Sequence, residues 1–187
     1  MSNTSFVQLK PSYTSLWASM VINPQKMSVV NTQAARIKLG IEQYKAVEAI
    51  TGVPWMFIGI IHSLECDCSF KKHLHNGDPL TARTIQVPAG RPLKGEPPFT
   101  WKDSAVDALT MKKLSGANEW STEGIIYQLE AYNGWGYRLY RNINTPYLWA
   151  GSNHYTKGKY AADGKYDTEL VSKQIGAALL LKALSTK

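Results

Sequence analysis

Apolar residues run almost unbroken from Trp55 to Leu64, and only His62 and Ser63 interrupt the run before Glu65. A stretch that is apolar nearly all round predicts a buried helix. Pro54 is placed to open it, since a missing N–H does no harm in a first turn. The segment before it carries Ala34, Ile37, Ile41, Tyr44, Val47 and Ile50 at helical spacing, and Thr51-Gly52 is set to stop that helix. Leu16 and Met20, one turn apart, predict a short helix within residues 11–23. Residues 76–100 change character. Asn76-Gly77-Asp78-Pro79 is a turn signal, residues 81–87 alternate with β-branched side chains, and Pro88, Gly90, Pro92, Gly95, Pro97 and Pro98 follow. This segment predicts a small strand or hairpin lobe and then a loop. Helical patterns return at residues 103–114 and 122–132, while residues 137–161 are aromatic and irregular. Val171, Ile175, Ala178 and Leu179 share a face of a final helix, with Asp167 as its expected N-cap. The pattern as a whole predicts one domain over residues 1–187, mainly α within an α+β class, with a small β-lobe inserted after the third helix.

Composition narrows the function. Of the 187 residues 44% are hydrophobic and 19% charged, which excludes disorder or a coiled coil as a description of the whole. No stretch reaches the roughly 20 apolar residues of a membrane span. Met1 to Phe6 lacks a basic segment followed by an apolar one, so synthesis without a secretory signal is expected. A formal charge of +7 is spread over scattered Lys and Arg, with no nucleic-acid-binding motif beside them. A basic surface facing an anionic polymer is expected, and nucleic acid is not. Six Trp and ten Tyr against four Phe suit sugar faces as well as cores. Cys66 and Cys68 with His73 and His75 have the wrong spacing for a zinc finger. No metal or organic cofactor is expected.

Glu65 does not fit its setting. It stands at the C-terminal end of the apolar helix, where desolvation and the helix dipole both disfavour a carboxylate's charge. A carboxylic acid kept protonated is what donating a proton to a glycosidic oxygen requires. The plain alternative is a glutamate turned to solvent at a helix end.

Ile60-Ile61-His62-Ser63-Leu64-Glu65 resembles the catalytic-helix ending of the lysozyme-like superfamily, which includes goose-type lysozymes, lytic transglycosylases and phage endolysins. Leu74 to Thr84, with Val87 to Pro92, resembles one lysozyme-family group of phages and bacteria. Ala131-Tyr132-Asn133-Gly134 is similar to the Ala-Tyr-Asn-Ala-Gly motif of transglycosylases, and Asn144-Thr145-Pro146-Tyr147-Leu148-Trp149 looks like the same group. The resemblance covers about residues 60–150. It implies a lysozyme-like fold, a helical lobe and a small β-hairpin lobe flanking a glycan cleft. It also implies Glu65 as general acid, Tyr132 and Asn133 on the cleft floor, and Tyr147 close by. The chain departs from transglycosylases in Glu65-Cys66, where they have Glu-Ser, and in lacking their Gly-Leu-Met-Gln motif.

A hydrolase pairs its acid with a nucleophile about 5 Å away or with a more distant base that activates water. Asp78 is the first candidate, with Thr81 and Thr84 positioned to hold a water. Asp78 is equally a turn residue before Pro79. Glu96 and Glu130 are further carboxylates, with loop and helix surface as their default. His75 could meet Asp78 or a sugar; His62 reads as packed. Trp135 is a candidate sugar platform, as are Trp101, Trp120 and Trp149, most of which should be core. The expectation is a monomeric muramidase cleaving the MurNAc–GlcNAc β-1,4 bond of peptidoglycan strands, a bacteriolytic, endolysin-type hydrolase acting on the cell wall after phage-type release or particle-borne delivery. The alternatives are a lytic transglycosylase giving 1,6-anhydroMurNAc products, a chitinase-type enzyme, and a non-catalytic wall-binding or structural module.

Overall fold

The computed structural model describes residues 4–116, 119–162 and 164–186. The chain forms two compact units. One is the continuous stretch Ala35–Trp120; the other joins the chain up to Ala34 with the chain from Ser121 onward. The first unit is therefore an insertion, in sequence, within the second. Among the described residues no single helix is long and apolar enough to cross a membrane.

The helix expected over residues 34–50 is two helices, α2 (Met27–Leu39) and α3 (Ile41–Thr51). The break falls at Gly40, where a Cβ would come within 2.6 Å of the Phe70 ring and 2.9 Å of Tyr44. No larger residue fits so close an approach. Gly52 ends α3 in the left-handed conformation, φ 72°, as its position predicted. In the continuous unit α3 packs on α4 (Trp55–Cys66) and on α5 (Trp101–Met111). Phe57, Ile58, Ile60 and Ile61 of α4 are fully buried. Each such side chain contributes about 1.5–3 kcal/mol relative to exposure.

Residues 76–100 do not form the expected hairpin. Apart from an isolated bridge between Lys72 and Pro79, the described residues there are turns and bends. Prolines withhold the N–H groups a ladder needs, and side chains bond the backbone instead. The Thr84 hydroxyl donates to Pro88 O at 2.5 Å and accepts from Arg91 N at 2.9 Å, and Arg83 donates to Pro92 O and Gly95 O.

The small antiparallel sheet lies in the other unit. It pairs β1 (Lys159–Ala162) with β2 (Lys165–Asp167), with Tyr160 opposite Tyr166. That unit's helices pack in pairs, α1 (Phe6–Ala18) on α6 (Thr122–Asn133) and α8 (Pro146–Trp149) on α9 (Ala177–Ser185), with α7 spanning Gly136–Arg141. The first helix starts well before residue 11 because Leu9 and Tyr13, one turn apart, are its buried face. The last helix starts later than expected. Val171 is exposed, and Asp167 caps a turn by accepting from Glu169 N and Leu170 N, ten residues before α9. The apolar cluster Ala177–Leu181, all buried, is what draws α9 into the core. Among the described residues the fold is thus mainly helical with one small antiparallel sheet, placed elsewhere than the turn-rich segment suggested.

Candidate functional site

The end of α4 is built on a strict division of faces. His62 and Cys66, one turn apart, point inward, while Glu65 is exposed and Asp67 caps the helix in the left-handed region at φ 52°. Glu65 thus stands on the exposed side of α4, away from the helix's apolar face. His62 sits among the rings of Tyr44, Phe70 and Trp101, with Nδ1 3.0 Å from the Tyr44 hydroxyl. Burial pulls its pKa down to about 4, so the ring is neutral at physiological pH. The Cys66 thiol donates to His73 O at 3.3 Å, and burial, reinforced by the nearby Glu65 charge, pushes its pKa up to about 12. Cys66 and Cys68 are both free thiols. Arg36 pairs with Asp67 at 2.6 Å on the exposed side.

The turn after α4 is docked on that helix end through His73, whose N–H donates to Asp78 O at 2.7 Å. The His73 ring is fully buried, bonded to Ser104 Oγ at 2.7 Å and to Ala82 O at 2.8 Å. Asp78 is buried too, and its Oδ2 accepts from Ile85 N at 2.8 Å, Gln86 N at 3.0 Å and Asn76 Nδ2 at 3.0 Å. The Gln86 and Ile85 amides hold this carboxyl below the usual range. Such bonding is a loop-organising role, and it commits one of the two oxygens that water activation would use. Thr84, equally, is occupied in closing the loop, whereas Thr81 is exposed.

His75 contacts neither Asp78 nor solvent. Its side chain has no exposed surface, and Nε2 lies 2.8 Å from Asp107 Oδ2, which also pairs with Arg91 at 2.8 Å. Burial lowers the His75 pKa, with Asp107 opposing. The expected sugar contact of His75 is corrected to a packed histidine. Asp107, Arg91 and Phe99 line a surface groove of about 680 Å³.

Tyr132, Asn133, Trp135 and Tyr147 belong to the other unit. Tyr147 is buried in α8, where Thr145 Oγ1 accepts from its N–H at 3.2 Å. Trp135 is half-buried, tilted on Tyr127 with centroids 5.3 Å apart. Of the other tryptophans, Trp149 is fully buried, Trp101 packs on His62, and Trp120 meets Phe57 edge-on. Glu130 is also buried: Arg138 donates to its two oxygens at 2.9 and 2.8 Å, and the Tyr13 hydroxyl donates at 2.6 Å. Glu130 is therefore a buried, ion-paired carboxylate and not the helix-surface residue expected.

Asn133 is exposed, with Nδ2 3.4 Å from Thr145 Oγ1, and lines a pocket of about 550 Å³ with Tyr137, Tyr140, Arg141 and Tyr160. Sequence reasoning reached Asn133 and missed the rest. The usable signal was Gly164 between the aromatic strand formers Tyr160 and Tyr166.

Among the described residues no group of three or more His, Cys, Asp or Glu is arranged to hold a metal. No family model, no curated protein and no solved structure matches the chain.

Proposed function

We propose that the chain is a lysozyme-like glycosidase of peptidoglycan, with Glu65 as the acid that protonates the leaving oxygen of the MurNAc–GlcNAc bond. The observation that carries this reading is the presentation of Glu65. A carboxyl stands exposed on the last turn of an otherwise buried apolar helix, whose end is fixed by the His62 cage and the Cys66–His73 hydrogen bond. A rigid support with an accessible acid is what proton transfer to a bulky polymer needs. Glu65 is exposed, so the bound glycan itself supplies the desolvation that favours its protonated form. As the C–O bond breaks, the proton of Glu65 goes to the departing oxygen and positive charge develops at the anomeric carbon. In a muramidase, water adds there and returns a proton to Glu65.

A lytic transglycosylase is the second reading, and the Asp78 bonding favours it. A carboxylate engaged by two backbone amides and Asn76 is poorly disposed to activate water. Attack by the sugar's own 6-hydroxyl requires only one carboxylate. The basic surface, at +7, would draw either enzyme to an anionic wall, more weakly as salt rises.

Digestion of purified peptidoglycan by the wild type and Glu65→Gln, with products identified by mass spectrometry, tests both. Reducing-end MurNAc from the wild type alone supports the muramidase, and 1,6-anhydroMurNAc supports the transglycosylase. Binding to the wall without any cleavage would overturn both and leave a non-catalytic wall-binding module.

A further inference from the structure

Beside Asn133, which the resemblance assigns to the glycan cleft, the pocket holds Tyr140 and Arg141, which the cleavage reading does not use. It is formed by the end of α6, by α7 and by the β1–β2 hairpin, all within one unit. Two devices fix the hairpin to α7. Tyr160 N donates to the Tyr137 hydroxyl at 3.1 Å, and the Tyr137 and Tyr160 rings meet edge-on at 5.0 Å. Gly158, at φ 96°, lets the strand enter: a Cβ there would overlap the Tyr166 hydroxyl.

Arg141 is the unusual member. Its guanidinium lies over the Tyr166 ring at 4.5 Å, and its Nε donates to the Tyr160 hydroxyl at 3.2 Å. Among the described residues no carboxylate lies within ion-pair distance of it, whereas its neighbour Arg138 is bound to Glu130. Stacking and the Nε bond orient the fork, and among the described residues nothing is bonded to its terminal nitrogens. This arrangement favours a planar, bidentate anion. Beside it Tyr140 is 74% exposed, a flat amphipathic ring with nothing of the protein over most of its surface. Asn133 adds an amide able both to donate and to accept. A volume of about 550 Å³ lies within the range of small-ligand sites.

We infer that this pocket binds a carboxylate-bearing sugar: Arg141 takes the carboxylate, Tyr140 stacks on the ring, and Asn133 bonds a hydroxyl or acetamido group. For the polymer to which such a sugar belongs, the inference rests on the peptidoglycan reading. The site chemistry itself does not. Carboxylate recognition singles out a muramic residue whose lactyl carboxyl is free, one that carries no stem peptide, so the chain would read stem-free positions of the glycan by charge as well as by shape.

The test is calorimetric titration of the full chain, as wild type, Arg141→Leu and Tyr140→Ala, with GlcNAc–MurNAc oligosaccharide, its carboxyl methyl ester and chitooligosaccharide of equal length. The wild type should bind the free acid about tenfold or more tighter than the ester, as expected for one charge-assisted bidentate contact. Arg141→Leu should abolish that preference. Tyr140→Ala, at an exposed position that does not endanger folding, should weaken acid and ester alike and leave their ratio unchanged. Equal binding of acid and ester by the wild type, or an unchanged preference in Arg141→Leu, would overturn the inference. Competition by inorganic phosphate at concentrations that displace the sugar would replace a saccharide site with a phosphate site. The cleavage assay is independent. An acid preference without cleavage keeps this pocket and discards the enzyme; cleavage without the preference does the reverse.

Discussion

Helices α4 and α6 each carry a glutamate in the last turn, and the two could hardly be treated more differently. Glu65 is exposed beside a buried histidine. Glu130 is 1% exposed and saturated by Arg138 and Tyr13. The difference follows from what each inward face offers. The inner face of α4 is lined with apolar and aromatic side chains, which tolerate a neutral imidazole and no carboxylate. The inner face of α6 meets the Tyr13 hydroxyl and the Arg138 fork, which make a buried charge bearable. Burial of the α6 carboxylate is thus tied to its ion pair, whereas the α4 carboxylate stands on the exposed side of its helix.

The largest effect should come from breaking the buried arrangement. Glu130→Ala strands Arg138 and should cost about 3–5 kcal/mol in urea denaturation. A loss below about 1 kcal/mol would mean that the pair contributes little and the contrast between the helices is shallow. Acid should act on the other helix. Burial holds the folded His62 near 4 against 6.5 unperturbed, so the unfolded chain binds more protons between those values. Stability from this residue is complete above about pH 6.5 and declines as pH falls to about 4, by at most about 3 kcal/mol. His62→Phe should flatten that part of the stability–pH curve; an unaltered slope would assign it to other groups. Tyr13→Phe removes one donor to Glu130 and should cost about 1.5–3 kcal/mol, read from the same denaturation midpoint. Glu65→Gln should be the mildest, within about 0.5 kcal/mol in stability. Its cleavage rate should nonetheless fall about 10²–10⁴-fold if it is the general acid. A large stability loss at Glu65 would remove the asymmetry on which its proposed role depends.

Local signals fixed much of the helical framework. Gly52, Pro54 and the apolar run after it located α4, and the helical pattern over residues 122–132 located α6. The hairpin was misplaced because β-branched alternation at residues 81–87 outweighed, on paper, the prolines that deny a ladder its donors. The real pair is short and depends on Tyr137, 23 residues from Tyr160, which no local pattern reveals. For the site, Glu65 was visible as a residue out of keeping with its surroundings, and Asn133 through the resemblance of Ala131-Tyr132-Asn133-Gly134 to a transglycosylase motif. The roles of Asp78 and His75 were not, since backbone amides seven and eight residues on, and an aspartate 32 residues away, decide them.

One unit being inserted in the sequence of the other has a consequence for the order of events on the ribosome. Within Ala35–Trp120 the distant partners are modestly separated, as in His73 with Ser104. The other unit closes only through long spans: Tyr13 reaches Glu130 across 117 residues, and Lys182 reaches Met20 O across 162. At roughly 5–20 residues per second, α1 spends on the order of 5–20 s without α6 to cover Leu9 and Tyr13. The inserted unit can have its core assembled before that wait ends. Aggregation during synthesis should then be governed by the first helix, and a polar residue at Leu9 would trade protection of the nascent chain against a weaker finished core.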